Sequence, residues 1–148
     1  MTAIFVDTNV FVYFRDASEP EKQASAASWL NALWLARAGR TSFQVLNEYY
    51  VTVTQRLKPG LDRKSARADV RNLMAWQPTN LDRAVIERAW GIQDRYGFSW
   101  WDTLIISAAQ KADCSYLLTE DLQHEQRIDG VTLVNPFIRL PDEVLQRS

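Results

Sequence analysis

Residues 3–14 read AIFVDTNVFVYF. The apolar run Ala3–Val6 reads as a strand. It stops at Asp7, and Thr8 and Asn9 follow before apolar residues resume; the stretch Thr8–Phe14 predicts a short helix. A charge beside a core is costly unless something pairs with it. The reading of the whole chain turns on what pairs with Asp7.

Downstream of this stretch, short apolar runs alternate with longer helical patterns. Pro20 starts a helix to about Ala38, with Leu30, Leu33 and Trp34 on one face, and Gly39 stands where a helix-ending glycine belongs. Arg40–Ser42 reads as a short strand, and Gln44–Leu57 as a helix closed by Pro59-Gly60. Asp62 caps a helix to about Trp76, with Ala66, Val70 and Leu73 inward. A brief strand is expected near Pro78–Asn80, and Asp82 caps a further helix to about Tyr96. Trp101–Ala112 is helical, and Ser115–Leu118 and Val131–Val134 read as strands. Strands alternating with helices imply a parallel sheet covered on both faces. The expected fold class is α/β, an open sheet of about five strands, with residues 1–148 as one domain.

In such a fold each crossover helix begins at the carboxyl edge of the sheet, where ligands bind. Asp7 ends the first strand. Glu48 lies in the second turn of the helix after Arg40–Ser42. Asp102 opens the helix Trp101–Ala112, and Asp121 follows the strand Ser115–Leu118. All of these carboxylates belong to one edge, with no Arg or Lys among their immediate sequence neighbours. Clustered like charges repel, and a hard divalent cation such as Mg²⁺ or Mn²⁺ relieves them through oxygen ligands. Taken singly, each acid has a blander explanation. Asp7 suits a helix cap, Asp102 a first-turn acid, and Asp121 a turn; Glu48 is harder to dismiss between Val45, Leu46, Tyr49, Tyr50 and Val51. Their convergence is what points to a metal site.

Other chemistries fit poorly. The five glycines form no phosphate-binding loop. One Cys and one His, Cys114 and His124, do not make a zinc site, and Cys114 reads as a small buried hydrophobe. No GxSxG is present, so a Ser–His–Asp site would have to use His124. Trp100-Trp101 could stack bases, but such a pair more often anchors a core.

FVDTNVFVY, QVLNEYY around Glu48, FSWWDTLIISAA around Asp102, LLTEDL around Asp121 and VTLVNPF near the end resemble the PIN-domain ribonucleases, and most of all the VapC-type toxins of toxin–antitoxin pairs. The resemblance covers nearly the whole chain. It implies a three-layer α/β/α fold and a metal-dependent RNA endonuclease with Asp7, Glu48, Asp102 and Asp121 as its acidic quartet. It further implies Thr8, Asn9 and Thr119 as polar neighbours that orient ligands and water. A homodimer and a small antitoxin partner are also implied. In the expected reaction, Mg²⁺ or Mn²⁺ held mainly by Asp7 and Asp102 activates water against an RNA phosphodiester, with Glu48 and Asp121 completing the site.

A phospho-acceptor built on Asp7 would want a second acid two residues on, where Asn9 stands. A non-catalytic RNA- or protein-binding module would be free to lose some acids, and this chain keeps all four. The net charge is −1, yet residues 37–71 hold eight Lys/Arg against three acids. Within that basic segment Arg63, Arg67 and Arg71 form one helical stripe, a candidate path for an RNA backbone or simply a solvated face. The lone cysteine, the absence of a basic N-terminal leader and the lack of a long apolar run lead to the expectation of a cytoplasmic protein outside the membrane.

Overall fold

The computed structural model describes residues 2–145. The opening stretch forms β1 (Ile4–Val6), its three residues wholly buried, and α1 (Thr8–Phe14). There follow α2 (Pro20–Ala36), β2 (Gly39–Arg40), α3 (Phe43–Val51), α4 (Arg63–Leu73), α5 (Arg83–Tyr96) and α6 (Trp100–Lys111). The chain closes with β3 (Tyr116–Leu118), β4 (Arg127–Ile128), β5 (Val131–Val134) and α7 (Pro141–Leu145). The sheet has five strands in the order β2-β1-β3-β5-β4, parallel except for the β4–β5 pair. With helices over both faces this is the expected three-layer α/β/α arrangement.

Caps set several helix starts where the sequence placed them. Ser42, Asp62, Asp82 and Ser99 each accept a backbone N–H of the first turn of α3, α4, α5 and α6 with their side chains. The main core runs from β1, β3 and β5 into α1, α2, α3 and α6; Val85 and Ala89 of α5 form a second cluster with Leu104 of α6. Cys114 is buried as expected, and burial pushes its thiol up to about 12. Among the described residues no helix is long and apolar enough to cross a membrane.

Four expectations need correction. The α2 helix ends at Ala36, and Arg37, not Gly39, takes the left-handed conformation after it (φ 55°). Gly39 instead sits in β2 under Trp76, where a Cβ would come within 2.6 Å of the indole. On α2 itself the buried tryptophan is Trp29, whose Nε1–H donates to the carbonyls of Pro136 and Arg139. Trp34 stays about half exposed. The strand expected near Pro78–Asn80 reduces to one bridge between Ser42 and Thr79. Finally, Trp101 does not anchor a core: it is 62% exposed.

Candidate active site

The register places the site. Val6 of β1 pairs with Leu118 of β3, so the residues that follow them, Asp7 and Thr119, emerge side by side at the carboxyl edge. Asp7 is 6% exposed. It caps α1, with Oδ1 accepting the Thr8 N–H at 2.7 Å, and its Oδ2 accepts the Thr119 hydroxyl at 2.8 Å. The helix-cap reading of Asp7 is thus correct, and it leaves the charge uncompensated.

The other acids gather around it through the small polar residues. Thr8 Oγ1 donates to Glu48 Oε2 at 2.8 Å, and Gln44 Nε2, one turn earlier on α3, donates to Glu48 Oε1 at 3.2 Å. Asn9 Nδ2 donates to Asp121 Oδ2 at 2.9 Å, while the Asp121 N–H donates to Thr119 Oγ1 at 3.2 Å. Asp102 stands in the first turn of α6, its N–H donating to the Ser99 hydroxyl. Hydrogen bonds thus bring Asp7, Glu48 and Asp121 together with Thr8, Asn9 and Thr119, and Asp102 joins them through the effect of its charge on Asp121. Gln44 and Ser99 are additions; the i, i+4 spacing of Gln44 and Glu48 was the signal for the first.

Burial and like charge dominate the electrostatics of the site. Burial is the main force that raises the Asp7 carboxyl to about 7; the Thr8 and Thr119 hydrogen bonds oppose it, and the charges of Asp121 and Glu48 add to it. Asp121 is raised as well, first by burial and then by Asp102 and Glu120. Among the described residues, none of the four carboxylates is ion-paired to a Lys or Arg. The Oδ1 of Asn9 is buried with no hydrogen-bond partner, beside Asp121. Among the described residues no three of the Asp, Glu, His or Cys side chains form a ready chelating group. His124 plays no part here, since its Nδ1 accepts the Asn135 N–H at 3.0 Å.

Of the candidate RNA-binding arginines, Arg67 and Arg71 line a shallow groove with Asn47 and Tyr50, and Arg67 Nε donates to the Tyr50 hydroxyl at 3.2 Å. Asn47 also lines the cleft that holds Thr8 and Glu48, so the two clefts meet at this residue. Arg63 is not among the residues that line it.

A profile of the PIN domain matches residues 4–129. No curated protein matches the chain in sequence. Among solved structures, a toxin–antitoxin complex from Klebsiella pneumoniae is similar at 19% identity and a TM-score of 0.63, covering 91% of this chain and 98% of that one. VapC20 of Mycobacterium tuberculosis, a toxin that cleaves the sarcin–ricin loop, is similar at 20% identity and a TM-score of 0.59, covering 78% and 87%. VapBC2 of Rickettsia felis, bound to a DNA fragment from its promoter, is similar at 16% identity and a TM-score of 0.58, covering 89% and 97%. At these identities the likeness is one of fold. The match over residues 4–129 carries the assignment: the chain belongs to the PIN-domain family.

Proposed function

We propose that the chain is a metal-dependent endoribonuclease, the toxin of a toxin–antitoxin pair, with Asp7, Glu48, Asp102 and Asp121 as its catalytic and metal-holding groups. The observation that carries this is Asp7: a buried carboxylate with carboxylate neighbours, two hydrogen bonds and, among the described residues, no Lys or Arg paired with it. Such a group is stable as an anion at neutral pH only when a positive charge joins it. The donors available, carboxylates and the Asn9 amide oxygen, are the hard oxygens that Mg²⁺ and Mn²⁺ prefer. Mg²⁺ is usually held by one or two carboxylates plus water and substrate phosphate, so Asp7 and Asp102 would hold the ion directly, with Glu48 and Asp121 completing the site through waters; among the described residues no three such side chains form a ready chelate.

Each residue then has a task. Thr119 and the Thr8 N–H fix both oxygens of Asp7, so its carboxylate does not swing toward solvent. Thr8 and Gln44 hold both oxygens of Glu48, and Asn9 holds Asp121. A bound divalent ion would supply Lewis acidity for water and for the scissile phosphate. The burial of Asp7 limits screening of its charge by bulk water, and no side-chain nucleophile is required.

The partner reading rests on the neighbours, two of which are toxin–antitoxin assemblies. An apolar cleft of about 400 Å³ between α1, α2 and α4, lined by Phe11, Phe14, Leu30, Trp34 and Trp76, offers a small antitoxin a docking face. A homodimer in the cytoplasm completes the proposal, and a chain whose one cysteine, Cys114, is buried suits a reducing compartment. Incubation of RNA with the protein in Mg²⁺, Mn²⁺ or EDTA is the test. Cleavage should need the metal and should fall by orders of magnitude in Asp7→Asn and Asp102→Asn. Metal-independent retardation of intact RNA on a gel would favour a non-catalytic RNA-binding module instead.

A further inference from the structure

A second cleft, about 580 Å³, opens directly from the acidic edge. Thr8 and Glu48 form one end, Arg56 stands in the lining beyond Thr52, and Trp101 and Leu81 supply apolar surface. Trp101 is the residue before Asp102, so the indole and the carboxylate leave the first turn of α6 together. A tryptophan left 62% in solvent, in one cleft with Glu48 and next in sequence to Asp102, is not explained by packing.

The position of Arg56 has a backbone cause. Along a regular α-helix every fourth residue drifts by about 40° from the last, so Gln44, Glu48 and Thr52 already spiral slowly. From Thr52 to Arg56 the helix widens into a π-helical turn. The wider turn cancels the drift and returns Arg56 to the face that carries Glu48. Such turns are frequent at functional sites. Asn47, exposed, also lines the cleft and offers a donor and an acceptor in one amide.

We propose that this cleft is a nucleotide subsite: an unpaired base of single-stranded RNA stacks on Trp101 and the adjoining phosphate meets Arg56. The inference rests on the ribonuclease reading and names where the strand lies beside the cut. Aromatic stacking binds any unpaired base through its π-face, and an arginine tracks the backbone as a charge. The volume suits one small ligand unit. The Glu48 carboxylate at one end of the lining argues against a second copy of this chain, because the centres of protein–protein interfaces are depleted in Glu and Asp.

The probes are octauridylate and the same ribose-phosphate chain without bases, titrated against the protein in EDTA and followed by tryptophan fluorescence, so that no cleavage intervenes. Octauridylate should quench, and the abasic chain should bind at least about fivefold more weakly. Trp101→Ala should lose about that factor for octauridylate only; Trp101→Phe should keep affinity and lose the quench. Arg56→Gln should lower the salt slope by about 0.7. Equal affinity of the two probes, or of parent and Trp101→Ala, would overturn the subsite. So would a Trp101→Ala variant that changes its oligomeric state while binding RNA as before. Base-dependent quenching without any metal-dependent cleavage would keep the subsite and remove the nuclease, whereas cleavage with equal binding of both probes would do the reverse.

Discussion

The Thr119 hydroxyl donates to Asp7 Oδ2 at 2.8 Å, across adjacent parallel strands, with both residues buried. One hydrogen bond thus joins the ends of β1 and β3 at the point where the charge is stored. Thr119→Val keeps the shape and removes the donor. A buried acceptor left unpaired costs about 1–3 kcal/mol, and loss of a partner that orients a metal-holding group typically costs about 10–100-fold in activity. Urea unfolding and RNA cleavage read the two effects separately; a valine variant with parental values in both would show that the bond does nothing.

Asp7 also sets a pH dependence. Its folded pKa, about 7, stands above its ordinary value of 3.8. A raised pKa means that the stabilisation is complete below the ordinary value and is lost as pH rises through the folded one. The metal-free protein should therefore melt lower at pH 8 than at pH 5, each pH unit in that window being worth up to about 1.4 kcal/mol. Asp7→Asn should raise the melting temperature at pH 8 in EDTA, because an amide can still accept from the Thr8 N–H and donate to Thr119. Millimolar Mn²⁺ should lift the parent at pH 8 by mass action and leave Asp7→Asn nearly unmoved. A parent melt indifferent to both pH and Mn²⁺ would defeat this account.

Beside the site, Asp69 of α4 takes a two-pronged bond from Arg15 (2.9 and 2.6 Å) and the hydroxyl of buried Tyr49. Burial and the Asp69 charge together hold the Tyr49 hydroxyl protonated well above its ordinary range. The clamp ties α4 to the end of α1 and to the residue after Glu48. Asp69→Ala should destabilise by about 2–3 kcal/mol, since it strands a hydroxyl and a guanidinium at once. Tyr49→Phe should cost about 1 kcal/mol, and the two losses should not add. A double-mutant cycle by denaturant unfolding measures the coupling; strict additivity would mean that the three groups do not act together.

The sheet and the acidic edge were legible because they rest on strong local signals. Short, mostly apolar runs mark β1, β3 and β5, and a carboxylate just after such a run has few structural reasons to be there. What escaped was set by tertiary contact. Two residues, Arg127 and Ile128, make β4 only because Val131 and Thr132 pair with them. Gly39 looked like a helix end because nothing in the sequence shows Trp76 lying over it. Periodicity along α2 ranked Trp34 with the inward face, whereas the carbonyls of Pro136 and Arg139 capture Trp29. The exposure of Trp101 was invisible for the opposite reason: an aromatic pair signals burial by composition, and only the packed structure shows which member is left outside.

The arginine stripe of α4 yields the sharpest division. By helical spacing Arg63, Arg67 and Arg71 are equivalent, but in the fold only Arg67 and Arg71 line the groove that passes Tyr50 and Asn47 toward Glu48. Arg67 is already oriented by Tyr50, so it loses less side-chain freedom on meeting a phosphate. Each phosphate contact to a single strand contributes about −0.7 to the slope of log affinity against log salt. Arg67→Gln and Arg71→Gln should each remove about one such contact, and together flatten the slope by about 1.4. Arg63→Gln, at the far start of the stripe, should leave it unchanged, as should all three variants for the effect of Mn²⁺ on melting. The measurement is RNA affinity at several salt concentrations for the parent and each variant. An equal loss from all three would mean a diffuse basic field along the helix, and parallel lines would mean that RNA reaches the acids by another face.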